Sequence, residues 1–330
     1  MCRLIDDITA FLEGNGFECS RQMRHGFDVI CTRTADGRKE KIIIPLEIKA
    51  VTLEEAVQDS EDAYEAIHMA SREEGGYPLV VTEDRWRRQG EMMRARILAH
   101  LELFSQAYAR NCEVRRIEKA EAQEFLEKHH SYGSAACRYR YGLYLKRYTG
   151  HGATSGSSAV ASESPAPVPG TLVAVATFSN ARKWIKGDKE IRSYEWTRYA
   201  SLPGLRINGG MGKLLKAFIE EVRPDDIMSY ADLEWSEGDV YRQLGFTLEG
   251  RKNPVTFTVD TGTWKRFPVK PGMTDGIRSG MTGPDGKGMT GHVIAETADN
   301  VIARPEGSWQ SLYFRNFGSN KYRLKLTAYE

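Results

Sequence analysis

Apolar residues at Leu4, Ile5, Ile8, Phe11 and Leu12 recur at the spacing of one helix face, and the glycines of "EGNG" end that helix. The period then changes to that of strands in "FECSRQM", "GFDVICTRT" and "KIIIPLEIKA", the last two joined by the turn "ADGR". Thr52, with Glu55 three residues on, opens a helix over about residues 53–72 in a capping-box pattern. A buried-looking strand, "YPLVVT", and a basic helix, "RWRRQGEMMRARILAHLELF", complete the first hundred residues. The order predicted is helix, three strands, helix, strand.

A second unit begins near Val114. It reads as strand "EVRRIEK", helix "AEAQEFLEKHH", strands "YRYGLYL", "TLVAVATFS" and "SYEWTRYAS", a glycine turn, helix "KLLKAFIEE", strand "DIMSYAD" and a helix over about 237–244. Strand and helix alternate, so an α/β (α+β) fold is predicted, with one sheet in each half: an αβββαβ unit over 1–108 and a mixed sheet with helices over 109–267. Residues 148–170 are rich in Ser, Ala, Gly and Pro and are expected to form a flexible insertion. Residues 268–291, with Gly-Met-Thr three times at uneven spacing, are expected to be a Gly-rich linker, and 292–330 a strand extension.

Composition narrows the class. The 330 residues are 41% hydrophobic and 28% charged, the texture of an ordinary globular chain. No apolar run approaches the roughly 18 residues of a transmembrane helix, and the N-terminus is acidic and amphipathic; neither a span nor a signal peptide is expected. Five cysteines, Cys2, Cys19, Cys31, Cys112 and Cys137, form no CxxC pair, which points to free thiols in a cytoplasmic protein. The net charge of +1 decides nothing about nucleic acid, where local clusters of Lys and Arg matter.

Candidate chemistry begins with Asp28 in one strand and Glu47-Ile48-Lys49 in the next. Side chains alternate across a strand, so Glu47 and Lys49 share a face and can meet Asp28. Asp28 and Glu47 could hold Mg²⁺ through oxygen ligands, and Lys49 could stabilise charge on a phosphate. In this element order, Asp…Glu-x-Lys resembles the PD-(D/E)xK restriction-endonuclease-like family, and "PLVVTEDRWRRQGEMMRARI" resembles the closing strand and helix of very-short-patch-repair-like endonucleases. The resemblance implies a Mg²⁺-dependent DNA nuclease, or a DNA-binding relic of one. Arg85, Arg87, Arg88, Arg94 and Arg96, with Trp86 among them, could meet successive phosphates on one helix, or form a solvated face.

In the second unit Gly209, Gly210, Met211 and Gly212 precede a helix, an arrangement that suits a phosphate cradle or a close-packing turn; Lys213 is followed by Leu, which excludes a P-loop. His129 and His130 at a helix end suit a proton shuttle, a metal ligand or a cap. The blocks "FLEKHHSYGSAACRYRYGLYL", "LVAVATFSNARKW", "RSYEWTRYAS", "INGGMGKLLKAFI", "DDIMSYADLEWSEGDVYRQLGF" and "NPVTFTV" resemble, in order and spacing over about 110–267, the phage Mom-like DNA-modification proteins, themselves similar to GNAT-fold acyltransferases. That resemblance implies transfer from an acyl-CoA-type donor to the N6 amine of adenine. Asp232 would assist amine deprotonation, Tyr241 would act as acid and Tyr194 would line the site; read from the residues alone, Tyr241 and Phe246 could equally pack in the core while Asp232 caps the following turn. The Gly209–Lys213 turn would hold the donor, and Arg182, Lys183 and Arg198 would contact DNA near Asn180. A duplex amine is shielded, so base flipping or a single-stranded substrate would be required.

Overall fold

The computed structural model describes residues 3–74, 76–148, 167–186, 188–269 and 311–328, with four two-residue strand pieces between 281 and 301. Most of the expected insertion, the Gly-rich linker and the start of the strand extension lie outside the described residues. In the first half, α1 (Leu4–Gly14) precedes β1 (Cys19–Arg24), β2 (Phe27–Arg33) and β3 (Glu40–Leu46); α2 (Leu53–Glu74) then crosses to β4 (Leu79–Thr82). The strands lie in the order β1-β2-β3-β4, antiparallel except for the β3–β4 step. Both faces are covered, which explains the continuous apolar runs. Ile30, Ile43, Leu79 and Val81 face α1; Val29, Cys31, Ile42, Ile44 and Val80 face α2. The start of α2 is capped reciprocally, Glu55 N donating to Thr52 Oγ1 at 3.1 Å and Thr52 N to Glu55 Oε2 at 3.2 Å.

The basic stretch is two helices and not the single one expected: α3 (Glu83–Arg88) and α4 (Gly90–His100). They meet at Gln89, whose φ of −120° and ψ of 37° leave the helical region next to a glycine, the residue that least favours a helix interior after proline. The break lies among polar residues, so the apolar pattern carries no sign of it.

The second half contains β5 (Ser105–Tyr108), β6 (Cys112–Arg116), α5 (Lys119–His129), β7 (Tyr139–Leu145), β8 (Leu172–Phe178), β9 (Arg182–Lys186), β10 (Lys189–Ser201) and β11 (Leu205–Asn208). It continues with α6 (Gly210–Val222), β12 (Asp226–Asp232), α7 (Asp239–Gln243), β13 (Thr247–Lys252), β14 (Thr256–Asp260), β15 (Lys265–Pro268), β16 (Ser311–Arg315) and β17 (Ser319–Lys325). The main sheet runs β13-β17-β12-β10-β8-β7-β6, with β9 attached to β10. Only the β10–β12 step is parallel, and its pairing spans Ser193–Asp226 to Glu195–Met228. Helix α6 packs Leu214, Leu215 and Phe218 on one face, Phe218 stacking on Phe178 at 3.9 Å; α5 packs Phe125 and Leu126 on the other.

The C-terminal strand β17 lies inside the main sheet, between β12 and β13. Strand β16 pairs with β14 in a three-stranded sheet, β15-β14-β16, and β5 pairs in parallel with β11.

The halves are joined by buried charge. Arg266, on β15, forms a bidentate pair with Asp84 (2.6 and 2.9 Å) and reaches Glu234 Oε1 at 2.8 Å. Arg85 takes the other Glu234 oxygen at 3.0 Å and lies 3.6 Å from Asp232 Oδ2. Glu234 is 2% exposed. Burial pushes its carboxyl up, but Arg266 and Arg85 outweigh that and hold its pKa below the ordinary value. Removing one member of such a network leaves an unpaired buried charge. Glu234→Ala is therefore expected to cost about 3–5 kcal/mol in urea unfolding at neutral pH. Because the folded-state pKa is depressed, this stabilisation is present above the ordinary glutamate value of about 4.3 and is lost as pH falls through the lowered one. Stability of Glu234→Gln should accordingly depend less on pH across that acid range.

Candidate functional site

Asp28 is the second residue of β2, and Glu47 directly follows the last residue of β3. The alternation continues past the strand end: Leu46, Ile48 and Ala50 are buried, Glu47 is half-buried and Lys49 is exposed. The two carboxylates converge on one cation. Arg3 bonds Asp28 Oδ2 at 2.7 Å and lies 3.8 Å from Glu47 Oε1, while Lys49 Nζ is 3.0 Å from Glu47 Oε2. Backbone bonds fix this segment. The Leu4 amide, at the start of α1, donates to Glu47 Oε1 at 3.2 Å, and the Ile48 amide donates to Glu83 Oε2 at 3.3 Å. Burial raises the Glu47 pKa, and the Lys49 bond, the Leu4 amide and Arg3 together reverse that and lower it. Glu47 is thereby kept ionised.

These residues line a cleft of about 260 Å³. Its other walls were not expected from sequence: Asp59 and Asp62 from α2, and Tyr313, Phe314 and Arg315 from β16. Burial, then Asp62 and Glu55, push the Asp59 carboxyl up. The lining holds four carboxylates, Asp28, Glu47, Asp59 and Asp62, against three cations, Arg3, Lys49 and Arg315. Spacing of three on a helix just after Glu-x-Lys could have flagged Asp59 and Asp62; nothing local marks β16. Among the described residues no three His, Cys, Asp or Glu side chains form a ligand cluster. Mg²⁺ commonly uses only one or two protein carboxylates, with waters and substrate oxygens completing its shell. Asp28 and Glu47 fit that requirement, since one guanidinium already sits between them.

The arginines expected to face DNA divide. Arg85 is 6% exposed and belongs to the buried network, with its guanidinium over Trp235 at 4.6 Å. Arg87 pairs with Asp7 at 2.7 Å. Arg88, Arg94 and Arg96 are exposed, although Arg94 stacks on Trp86 and Arg96 on Trp235. Sequence could not separate them because the break at Gln89 sets which ones turn inward.

In the second half the expected site residues are packed or hydrogen-bonded within the protein. Tyr194 is buried against Tyr139 and Phe218. Tyr241 stacks on Tyr322, its hydroxyl accepts from Ser229 Oγ at 2.9 Å, and burial raises its pKa. Asp232 accepts from Tyr132 OH at 2.6 Å and from the Glu234 amide at 3.0 Å. Burial, then Glu234, raise the Asp232 pKa. Gly209 takes a positive φ of 77°, and a Cβ on Gly210 would lie 3.0 Å from Ile207 Cγ2, so the turn needs glycine for packing. Met211 packs on the main core, and Gly212 faces Leu244. Lys213 donates to two backbone carbonyls, Ala109 O at 2.9 Å and Cys112 O at 2.6 Å.

Arg182 and Lys183 lie on the β9–β10 hairpin, paired with Glu195 and Glu190, and Asn180 is exposed beside them. Arg198 donates to Gly133 O at 3.1 Å, and burial lowers its pKa. His130 closes a turn through Nδ1, which accepts the Tyr132 amide; burial and then Arg198 hold its pKa down at about 4. His129 lies edge-on to Phe125 at 4.7 Å, and burial lowers its pKa as well. The pair therefore acts as uncharged packing and capping groups at neutral pH.

The chain matches no family model and no curated protein sequence. No described helix is long and apolar enough to cross a membrane. Lys213→Met would remove the ammonium's hydrogen bonds to the Ala109 and Cys112 carbonyls, at a cost of about 1–3 kcal/mol. A clear drop in melting temperature is expected, which a lysine serving only a bound phosphate would not give.

Proposed function

We propose that this protein acts on DNA and that the first-half cleft cleaves phosphodiesters with Mg²⁺. The convergence of Asp28 and Glu47 on one cation, with Lys49 alongside, carries this reading. Asp28 and Glu47 would hold the metal, which when bound supplies charge neutralisation at a phosphate and a more acidic water. Lys49, 72% exposed, places its ammonium at the cleft mouth, where it can hold a proton or offset charge developing on a phosphate oxygen. Glu83 positions the Glu47–Lys49 segment through the Ile48 amide. Plasmid cleavage should require Mg²⁺, and Asp28→Asn, Glu47→Gln and Lys49→Ala should each reduce it by about 100-fold or more at unchanged melting temperature. Cleavage surviving in all three would refute the assignment.

A second reading concerns the other half: a Mom-like transferase using an acyl-CoA-type donor on a base amine. It is favoured by the strand path of the main sheet, in which parallel β10 and β12 pair over only three residues and α6 begins at the glycine turn between them. An extended donor could add to strands that part in this way, and Asp232 and Tyr241 stand on β12 and α7, beyond the last paired residue of β12. Mass spectrometry of nucleosides from cells expressing the protein should then reveal an adenine adduct. An unmodified nucleoside profile would leave the second half as a recognition module for the nuclease site.

A further inference from the structure

A phosphodiester entering the cleft meets four carboxylates, Asp28, Glu47, Asp59 and Asp62, and needs fixed positive charge that these do not consume. Two of the cleft's cations are consumed: Arg3 pairs with Asp28 and Glu47, and Lys49 with Glu47. Arg315 is different. It lines the same cleft from β16, is half-buried, and the one hydrogen bond of its guanidinium among the described residues is a long 3.5 Å contact to Thr256 Oγ1. Its position is built: Tyr313 N donates to Ala50 O at 2.8 Å, directly after the Glu47–Lys49 segment, and Ser60 Oγ on α2 donates to Asn316 O at 3.3 Å. Strand β16 is thus anchored on both sides of Arg315 to the elements that carry the carboxylates.

We propose that Arg315 holds a substrate phosphate in the cleft, so that a strand near the C-terminus supplies the phosphate-binding wall of a site whose carboxylates lie near the N-terminus. Guanidinium suits the task, because its planar fork can grip two phosphate oxygens at once and stays charged at any working pH. This rests on the nuclease reading for the identity of the cleft, and binding can be measured apart from cleavage.

The test is fluorescence anisotropy of a labelled DNA duplex with the full-length protein, without Mg²⁺, across a salt series. Arg315→Ala should weaken binding about tenfold or more and lower the slope of log affinity against log salt by about one. Arg315→Lys should restore most of the slope, with all three proteins melting alike. Wild-type affinity and slope in Arg315→Ala would overturn the proposal and leave the nuclease reading intact. So would equal loss of binding and melting temperature in both variants, which would mark a structural arginine, or a wild-type protein with no affinity for the duplex. Arg315-dependent binding by a protein that never cleaves would uphold the phosphate contact while refuting the nuclease assignment.

Discussion

Glu234 is the carboxylate on which the two halves of the chain depend. Each of its oxygens is bonded to a different arginine, Arg85 from the first half and Arg266 from the small sheet, and Arg266 returns to Asp84 at the start of α3. Charges this deep are tolerated only when every partner is in place, so the network fixes one relative placement of α3, β12 and β15. Apolar contacts alone would tolerate sliding; a bidentate pair does not. Around it, Leu233 and Phe317 join the core beneath α2, Trp235 joins the core beneath α1, and Tyr77 OH donates to Leu233 O at 2.5 Å.

That placement has a functional consequence. With β15 held by Arg266, whose guanidinium also lies 4.1 Å from the Phe314 ring, the three-stranded sheet is set down beside α2 and β16 reaches the cleft. The cleft is a joint product of both halves, and the network that binds them also shapes its wall. Asp232 belongs to the same network through Arg85 and Tyr132, so the candidate groups of the second half are mechanically tied to the helix that follows the first sheet.

The fates of the arginines show why residue type alone misleads. Arg85, Arg87, Arg88, Arg94 and Arg96 look equivalent along the chain, yet one is buried among carboxylates, one pairs with Asp7, two lie over tryptophan rings and one is simply exposed. A guanidinium can satisfy a buried acid, an aromatic face or a phosphate with the same chemistry, so its partner is decided by which element comes near. The same holds for Lys213, whose position after a glycine turn suggested a phosphate and whose partners are backbone carbonyls.

Local patterns determined a good deal. The spacing of Leu4, Ile5, Ile8 and Leu12, the double-sided runs of β2 to β4, the Thr52–Glu55 cap and the alternation through Leu46 to Ala50 depend on neighbours a few residues apart. Helices, strands and the shared face of Glu47 and Lys49 were therefore legible. Tertiary structure alone decided the break at Gln89, the insertion of β17 between β12 and β13, the inward turn of Arg85 and the arrival of Arg315 in the cleft that Asp28 lines. Each of these joins residues far apart in the chain, through backbone pairing or buried charge. Such long-range pairings leave no periodic trace in sequence, because a strand presents the same alternation whichever neighbour it finds.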